Sequence, residues 1–319
     1  MRPLTTMTSP STFSTDLASL HPPGAPLGIA VSGGPDSLAL LLLAAATRPG
    51  QIEAATVDHA LRPGSRAEAE QVAEICAARA IPHTILTARW TVPPVGNIQA
   101  RARAERYALL GEWAQARGLA AVATAHHADD QAETLLMRLA RGSGVTGLAA
   151  TRPRRPLTEG VDLIRPLLGW RKTDLIAIVA NAGLTPIDDP SNHDPRHDRS
   201  RMRAVLADTD WADPLRLAAT AAHLREADEA LDWALAPLLD RLTEQNGAIT
   251  INPLGLPREF QRRLLLTAFA RLATPTPRGP DLDAAMTRLI AGETTTLAGL
   301  KLVGGPHWHL TRAPSRRGT

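Results

Sequence analysis

Between Ile29 and Arg141 short apolar stretches alternate with segments of helical pattern, and this alternation constrains the fold more than any other feature. It opens with "IAVSGGPDSLALLLLAAA", an apolar run that ends in small residues and reopens as a Leu/Ala-rich helical pattern: strand, tight turn, helix. There follow strand-like "IEAATVDHAL", helical "SRAEAEQVAEICAARA", strand-like "IPHTILTA", helical "NIQARARAERYALLGEWAQARG", strand-like "LAAVATAHH" and helical "ADDQAETLLMRLAR". Strands separated by helices of that length imply right-handed crossovers and a parallel sheet, hence an α/β, doubly wound fold. In such sheets ligands gather beyond the carboxyl ends of the strands, near the point where strand order reverses. Three polar groups share that address: the glycine loop, Asp58 with His59, and His126 with His127.

The loop of Ser32, Gly33, Gly34, Pro35, Asp36 and Ser37 has the makings of an anion site. Adjacent glycines let backbone N–H groups approach a ligand, and a new helix N-terminus presents unpaired donors and a positive dipole end. Phosphate is the natural guest. No Lys follows the glycines, so this is not a Walker loop, and the glycine spacing is not that of a dinucleotide fingerprint. For two glycines alone the plainer reading is an ordinary strand-to-helix turn with Asp36 or Ser37 as helix cap.

From Pro153 to Arg203 the pattern loosens. Pro- and Arg-rich loops surround one helix, roughly Arg171 to Ala182, before "DDPSNHDPRHDRSRMR". Beyond Asp213 a long amphipathic helix carries Leu217, Ala221, Leu224, Leu231 and Leu238 near helical spacing. A domain boundary is expected near residue 210, dividing 25–212 from 213–319. The second part reads as mainly helical, with a short strand at "AITIN", helices over Arg258 to Leu272 and Asp281 to Leu289, and a β-like pair through Lys301 to Leu310. Residues 1–24, rich in Ser, Thr and Pro, are expected to be a flexible segment without a signal-peptide pattern.

A chain of 319 residues, 44% hydrophobic and 21% charged, can bury one large core and a smaller one. Net charge of +3 permits a polyanionic partner without requiring one. All but two of the 35 basic residues are Arg, Lys occurring only at 172 and 301. Arginines cluster from Arg138 to Arg171 and at Arg196, Arg199, Arg201 and Arg203, each cluster reading by default as a solvated face. The single cysteine, Cys76, excludes an intramolecular disulfide and thiol-pair chemistry. The apolar run Leu38 to Ala46 is too short to span a bilayer, and a cytoplasmic protein is expected. Zinc ligation by His193 and His197 is rejected, because Asp194-Pro195 makes a helix there improbable.

The glycine loop, "VDHALRPGSRAEAE", "NIQARARAERYALL", "TAHHADDQAETLLMRLARGSGVTGL", "RPLLGWRKTDL" and "DDPSN", in that order over residues 27 to 203, resemble the tRNA(Ile)-lysidine synthases of the PP-loop ATP pyrophosphatase superfamily. The resemblance implies that ATP and Mg2+ are used and that the wobble cytidine of isoleucine tRNA with a CAU anticodon is adenylated. L-lysine then displaces AMP, giving lysidine and changing codon reading from AUG to AUA. It implies a tRNA-binding role for the part after residue 213, where Arg216, Arg225, Arg241, Arg258, Arg262 and Arg263, left over once the apolar stripe packs as core, are the candidate phosphate contacts, and no obligatory protein partner is inferred.

On this resemblance Ser32 to Ser37, Asp58, His59 and His126 bind nucleotide, and Asp36 reaches the metal. Asp130 and Glu133, on one helical face, bind the lysine ammonium and accept its proton. Arg106 neutralises phosphate charge, and Arg199 and Arg203 contact AMP or tRNA. Ser200 stands where many relatives have Asn. The alternatives are a 2-thiocytidine-type tRNA modifier, which relies on cysteine pairs, and a non-catalytic RNA-binding relative.

Overall fold

The computed structural model describes residues 9–62, 64–90, 96–187 and 198–313, divided into two compact units, Met1–Arg225 and Glu226–Thr319. The motif "DDPSN", His193 and His197 lie outside the described residues. The division falls inside a helix, Pro214–Leu235, rather than at its start, where the composition shift suggested a boundary.

In the first unit the elements run α1 (Pro10–Ala18), β1 (Leu27–Ala30), α2 (Pro35–Thr47), β2 (Ile52–Asp58), α3 (Ser65–Ala77), β3 (His83–Thr87), α4 (Ile98–Ala116), β4 (Ala121–Ala123) and α5 (Ala128–Leu139). They continue through α6 (Val145–Leu148), β5 (Arg154–Thr158), β6 (Val161–Ile164), α7 (Lys172–Asn181) and α8 (Asp198–Ala207). The sheet has the order β3-β2-β1-β4-β6-β5. All neighbours are parallel except β5 and β6. β1 lies between β2 and β4, in register Ile29 to Ala54 and Ile29 to Ala123. Strand order therefore reverses at β1, and the loops after β1 and β4 face each other across that point.

Helices cover both faces, as a doubly wound fold requires. On one side Phe13 and Leu17 of α1, Leu38 to Leu41 of α2, Val72 and Cys76 of α3, and Leu175 and Val179 of α7 form one core. On the other, Leu110, Trp113 and Ala114 of α4 pack over Val122, Val161 and Leu163. Helix α2 is apolar nearly all round because it is sandwiched between the sheet, α1 and α7.

The structure corrects two expectations in this unit. Residues 10–18 are not a frayed leader but a helix capped by Ser9. Phe13 packs edge-on against Trp170 with ring centres 6.2 Å apart, and the Trp170 indole N–H donates to Asp16 at 2.9 Å. Ser and Thr, read as loop formers, here serve as a cap and as the helix's polar face. The Pro- and Arg-rich stretch after Pro153 is likewise no loop: it forms the β5–β6 hairpin, whose β6 extends the sheet beside β4. β5 tolerates Pro156 because it is the edge strand.

The long helix α9 (Pro214–Leu235) is followed by a 3-10 turn and then β7 (Leu242–Gln245), β8 (Ala248–Ile251), α10 (Arg258–Arg271), α11 (Gly279–Ile290), β9 (Thr294–Leu297), β10 (Leu300–Val303) and β11 (Trp308–Arg312). The helices expected here are present. They pack on a five-stranded antiparallel sheet, β7-β8-β11-β10-β9, of which the patterns showed three strands. Arg263, expected to reach phosphate, is instead 7% exposed and tied to Asp228 at 2.7 Å and Asp232 at 2.5 Å. Arg262 is occupied by Asp283 at 2.5 Å. Among the described residues no helix is long and apolar enough to cross a membrane.

Because the Phe13 ring is fully buried, Phe13→Ala should destabilise the first unit by about 3–5 kcal/mol in denaturant unfolding; a dispensable leader would show no change.

Candidate active site

A cavity of about 680 Å³ opens where β1 and β4 diverge. Its floor is the loop after β1. Gly33 takes φ +85°, a left-handed turn, and a Cβ there would sit 2.3 Å from Ile187 Cδ1. The Ser32 amide donates to Ser37 Oγ at 3.1 Å, and Ser37 Oγ donates to the Gly34 carbonyl at 3.0 Å, closing the loop on itself. Gly34 caps α2 without a side chain in the way, and Pro35 fills the first helical position, where no N–H is needed. The first-turn amides of Asp36 and Ser37 have no intrahelical acceptor and are open to an anion. Ser32, Gly34, Pro35, Asp36 and Ser37 line the cavity; Gly33 shapes the loop and does not.

Helix α5 supplies the opposite wall. Its rotation is set by the buried Gln131, whose amide makes two 2.9 Å bonds with the Thr151 backbone. His127 precedes the helix, 3% exposed, with Nε2 3.5 Å from Asp36 Oδ2 and 3.5 Å from Asp130 Oδ2, and Nδ1 3.6 Å from Asp129 Oδ2. Burial opposes charge on this ring, but Asp129, Asp36 and Asp130 overcome it and raise its pKa to about 10. An imidazolium thus links α2 to α5. Burial would likewise raise Asp129, yet His127, the Lys172 amide at 2.9 Å and Arg171 at 3.4 Å hold it at about 2. Asp129 is therefore a strut between α5 and α7. Asp130 accepts the His127 amide at 3.1 Å and lines the cavity.

Glu133 does not share that wall with Asp130. It is 2% exposed and accepts Arg203 Nε at 2.5 Å, so it acts through Arg203, which lines the cavity with Arg199. Burial raises the Glu133 pKa, against the opposing pull of Arg203. Asp58 is also engaged: its Oδ1 accepts Ala60 N–H at 2.9 Å and Ser65 Oγ–H at 2.7 Å, holding the turn after β2, and only its neighbour His59 faces the cavity. The contact expected of Asp58 falls to that turn. His126 and Arg106 line the cavity. Burial first, then Arg165, Arg103 and Arg106, hold His126 down to about 3, against Asp130. Burial and Arg106 also lower His59.

Two cavity-lining groups, Arg103 and Lys172, escaped the sequence reading, and His127, noted there beside His126 at the strand exit, was given no role of its own. His127 was legible as the N-cap position of α5, one residue past His126 on the alternating strand exit. Lys172 was marked only by being one of two lysines. Arg103 had no local signal, since its meaning depends on which face of α4 meets the sheet.

The family model described as the PP-loop domain matches residues 11–209. A tRNA(Ile)-lysidine synthase from Novosphingobium aromaticivorans is 47% identical over 311 residues, covering 96% of this chain and 94% of that protein. One from Zymomonas mobilis is 44% identical over 296 residues, covering 91% and 89%. Among solved structures, the U34-tRNA thiolase NcsA from Methanococcus maripaludis, which carries a [4Fe-4S] cluster, superposes with a TM-score of 0.56 at 15% identity, over 70% of this chain and 78% of that one, a likeness of fold.

Gly33→Ala forces a β-carbon into a left-handed turn at a cost of about 1–2 kcal/mol. The loop should shift, and ATP affinity measured by calorimetry should fall about tenfold with the unit still folded.

Proposed function

Because this chain belongs to the tRNA(Ile)-lysidine synthase family of PP-loop proteins, we propose that it joins free lysine to C2 of the wobble cytidine of isoleucine tRNA with a CAU anticodon. In the first step the cytidine O2 attacks the α-phosphorus of ATP and diphosphate leaves. In the second the lysine amine attacks C2, AMP departs with the oxygen, and a proton is released. The observation that carries this reading is one cavity holding an anion-binding loop, a carboxylate from α5 and arginines from α4 and α8.

Each residue has work suited to its surroundings. The open amides at the start of α2 receive the phosphates, whose charge grows as diphosphate leaves. Asp36 Oδ1 is buried without a hydrogen-bond partner beside that loop, which suits a magnesium ion held by one carboxylate and by phosphate oxygens. Such an ion neutralises charge on those oxygens. Among the described residues no three His, Cys, Asp or Glu side chains are placed to hold a metal by themselves, so substrate and water would complete its shell. Asp130 is the carboxylate open to the cavity for the lysine ammonium and for the proton it must lose, since only the neutral amine attacks. Arg203, steadied by Glu133, and Arg106 face the phosphate being transferred.

The 2-thiocytidine alternative fits less well. Cys76 is the single cysteine of the chain, buried in the core of the first unit, and burial pushes its thiol up to about 11. Sulfur delivery needs an accessible thiolate.

The purified chain, given ATP, lysine and tRNA transcript, should release diphosphate only when tRNA is present and AMP only when lysine is added as well; tRNA-independent release, or none, would overturn the reading. Asp36→Asn should slow diphosphate release by about 100-fold or more while tRNA binding stays near wild type.

Asp130→Asn should raise the apparent KM for lysine. Glu133→Gln should instead slow adenylation with lysine KM little changed, because what it loosens is Arg203. Identical defects in the two variants would return Glu133 to the lysine pocket.

A further inference from the structure

Tyr107, on α4, sits among four arginines. The guanidinium carbons of Arg155, Arg103 and Arg106 lie 4.7, 5.0 and 5.2 Å from its ring centre. Arg165, 3% exposed, places a further charge beside the same ring and donates to the Arg152 carbonyl. Among the described residues none of the four is ion-paired with a carboxylate, whereas nearby Arg154 pairs with Asp162 and Arg117 with Glu53. Burial lowers the pKa of Arg103, and the like charges of Arg106, Arg199 and Arg155 lower it further. The negative face of the ring offsets part of this repulsion. An anion would offset the rest.

Arg103 and Arg106 line the cavity, while Arg155 stands outside it on the edge strand β5. The cluster is thus a cationic step leading from the cavity to the β5–β6 hairpin. The phosphates of ATP are provided for elsewhere, at the N-terminus of α2. We propose that Arg155, with Arg103 and the Tyr107 ring as its platform, binds backbone phosphate of the RNA next to the nucleotide inserted in the cavity. This rests on the tRNA reading above and assigns part of tRNA binding to the first unit.

The full-length chain tests it, with Arg155→Ala and Arg155→Lys measured by filter binding to the tRNA transcript across a salt series, beside ATP binding and steady-state turnover. Arg155→Ala should weaken tRNA about tenfold and reduce the slope of log affinity against log salt by about 0.7–0.9. ATP affinity and kcat at saturating tRNA should remain those of wild type, which also shows the fold intact. Arg155→Lys should keep the slope. A loss of ATP affinity with tRNA binding unchanged would assign the cluster to the nucleotide, and no change in either would reduce it to packing; both overturn the proposal. If the wild type itself does not bind tRNA, the tRNA reading falls as well, whereas wild-type binding that ignores Arg155 sinks this proposal alone.

Discussion

The side chain of His127 holds the site together. It is buried between carboxylates from two helices that leave the sheet on either side of its reversal point: Asp36 from α2, Asp129 and Asp130 from α5. Three carboxylates so close would repel one another. The His127 ring lies within 3.6 Å of all three, and Asp129, Asp36 and Asp130 hold its charge against burial. The loop after β1 and the acidic wall are therefore coupled electrostatically through His127. Asp129 carries the same lock onward to the backbone of α7, and α7 packs on α2.

This lock divides the acidic residues by task. Asp129 and Asp58 spend their oxygens on backbone amides and a hydroxyl. Glu133 spends its own on Arg203. Asp36 and Asp130 line the cavity. On the proposed function, the site holds both a triphosphate and a cationic amine, which needs carboxylates and arginines side by side without mutual cancellation. Here separate elements carry them: carboxylates at the starts of α2 and α5, arginines on α4 and α8.

The second unit solves a different problem. Its sheet is antiparallel and needs cover on one face, which α10 and α11 provide through Leu264, Leu265, Phe269, Met286 and Leu289. Arg263 lies at the boundary of that core and α9, bridging Asp228, Asp232 and Glu259. Burial opposes its charge, and the two aspartates restore it. Residue type alone marked it as a phosphate ligand. Its surroundings make it a tie between helices, for which Asp228, fully buried, is the fixed counterpart.

The local patterns already contained the parallel sheet, the turn after β1 and the helices that follow each strand, because alternation of apolar runs and the chemistry of Gly33, Gly34 and Pro35 act over a few residues. The family resemblance marked Asp36, Asp130, Arg106 and Arg203 as chemistry-bearing positions. The local patterns missed α1, because its Ser and Thr residues favour loops unless Phe13 and Leu17 have a partner, and Trp170 is distant in sequence. They missed β5 and β6, whose edge position excuses their Pro and Arg. What only the tertiary structure decided is which polar group faces the cavity and which is consumed. Glu133 lies one helical turn from Asp130 in sequence, yet it is buried and its contact with Arg203 of α8 turns it to another task. Charge–charge distances across elements set that outcome, and no spacing along one element encodes them.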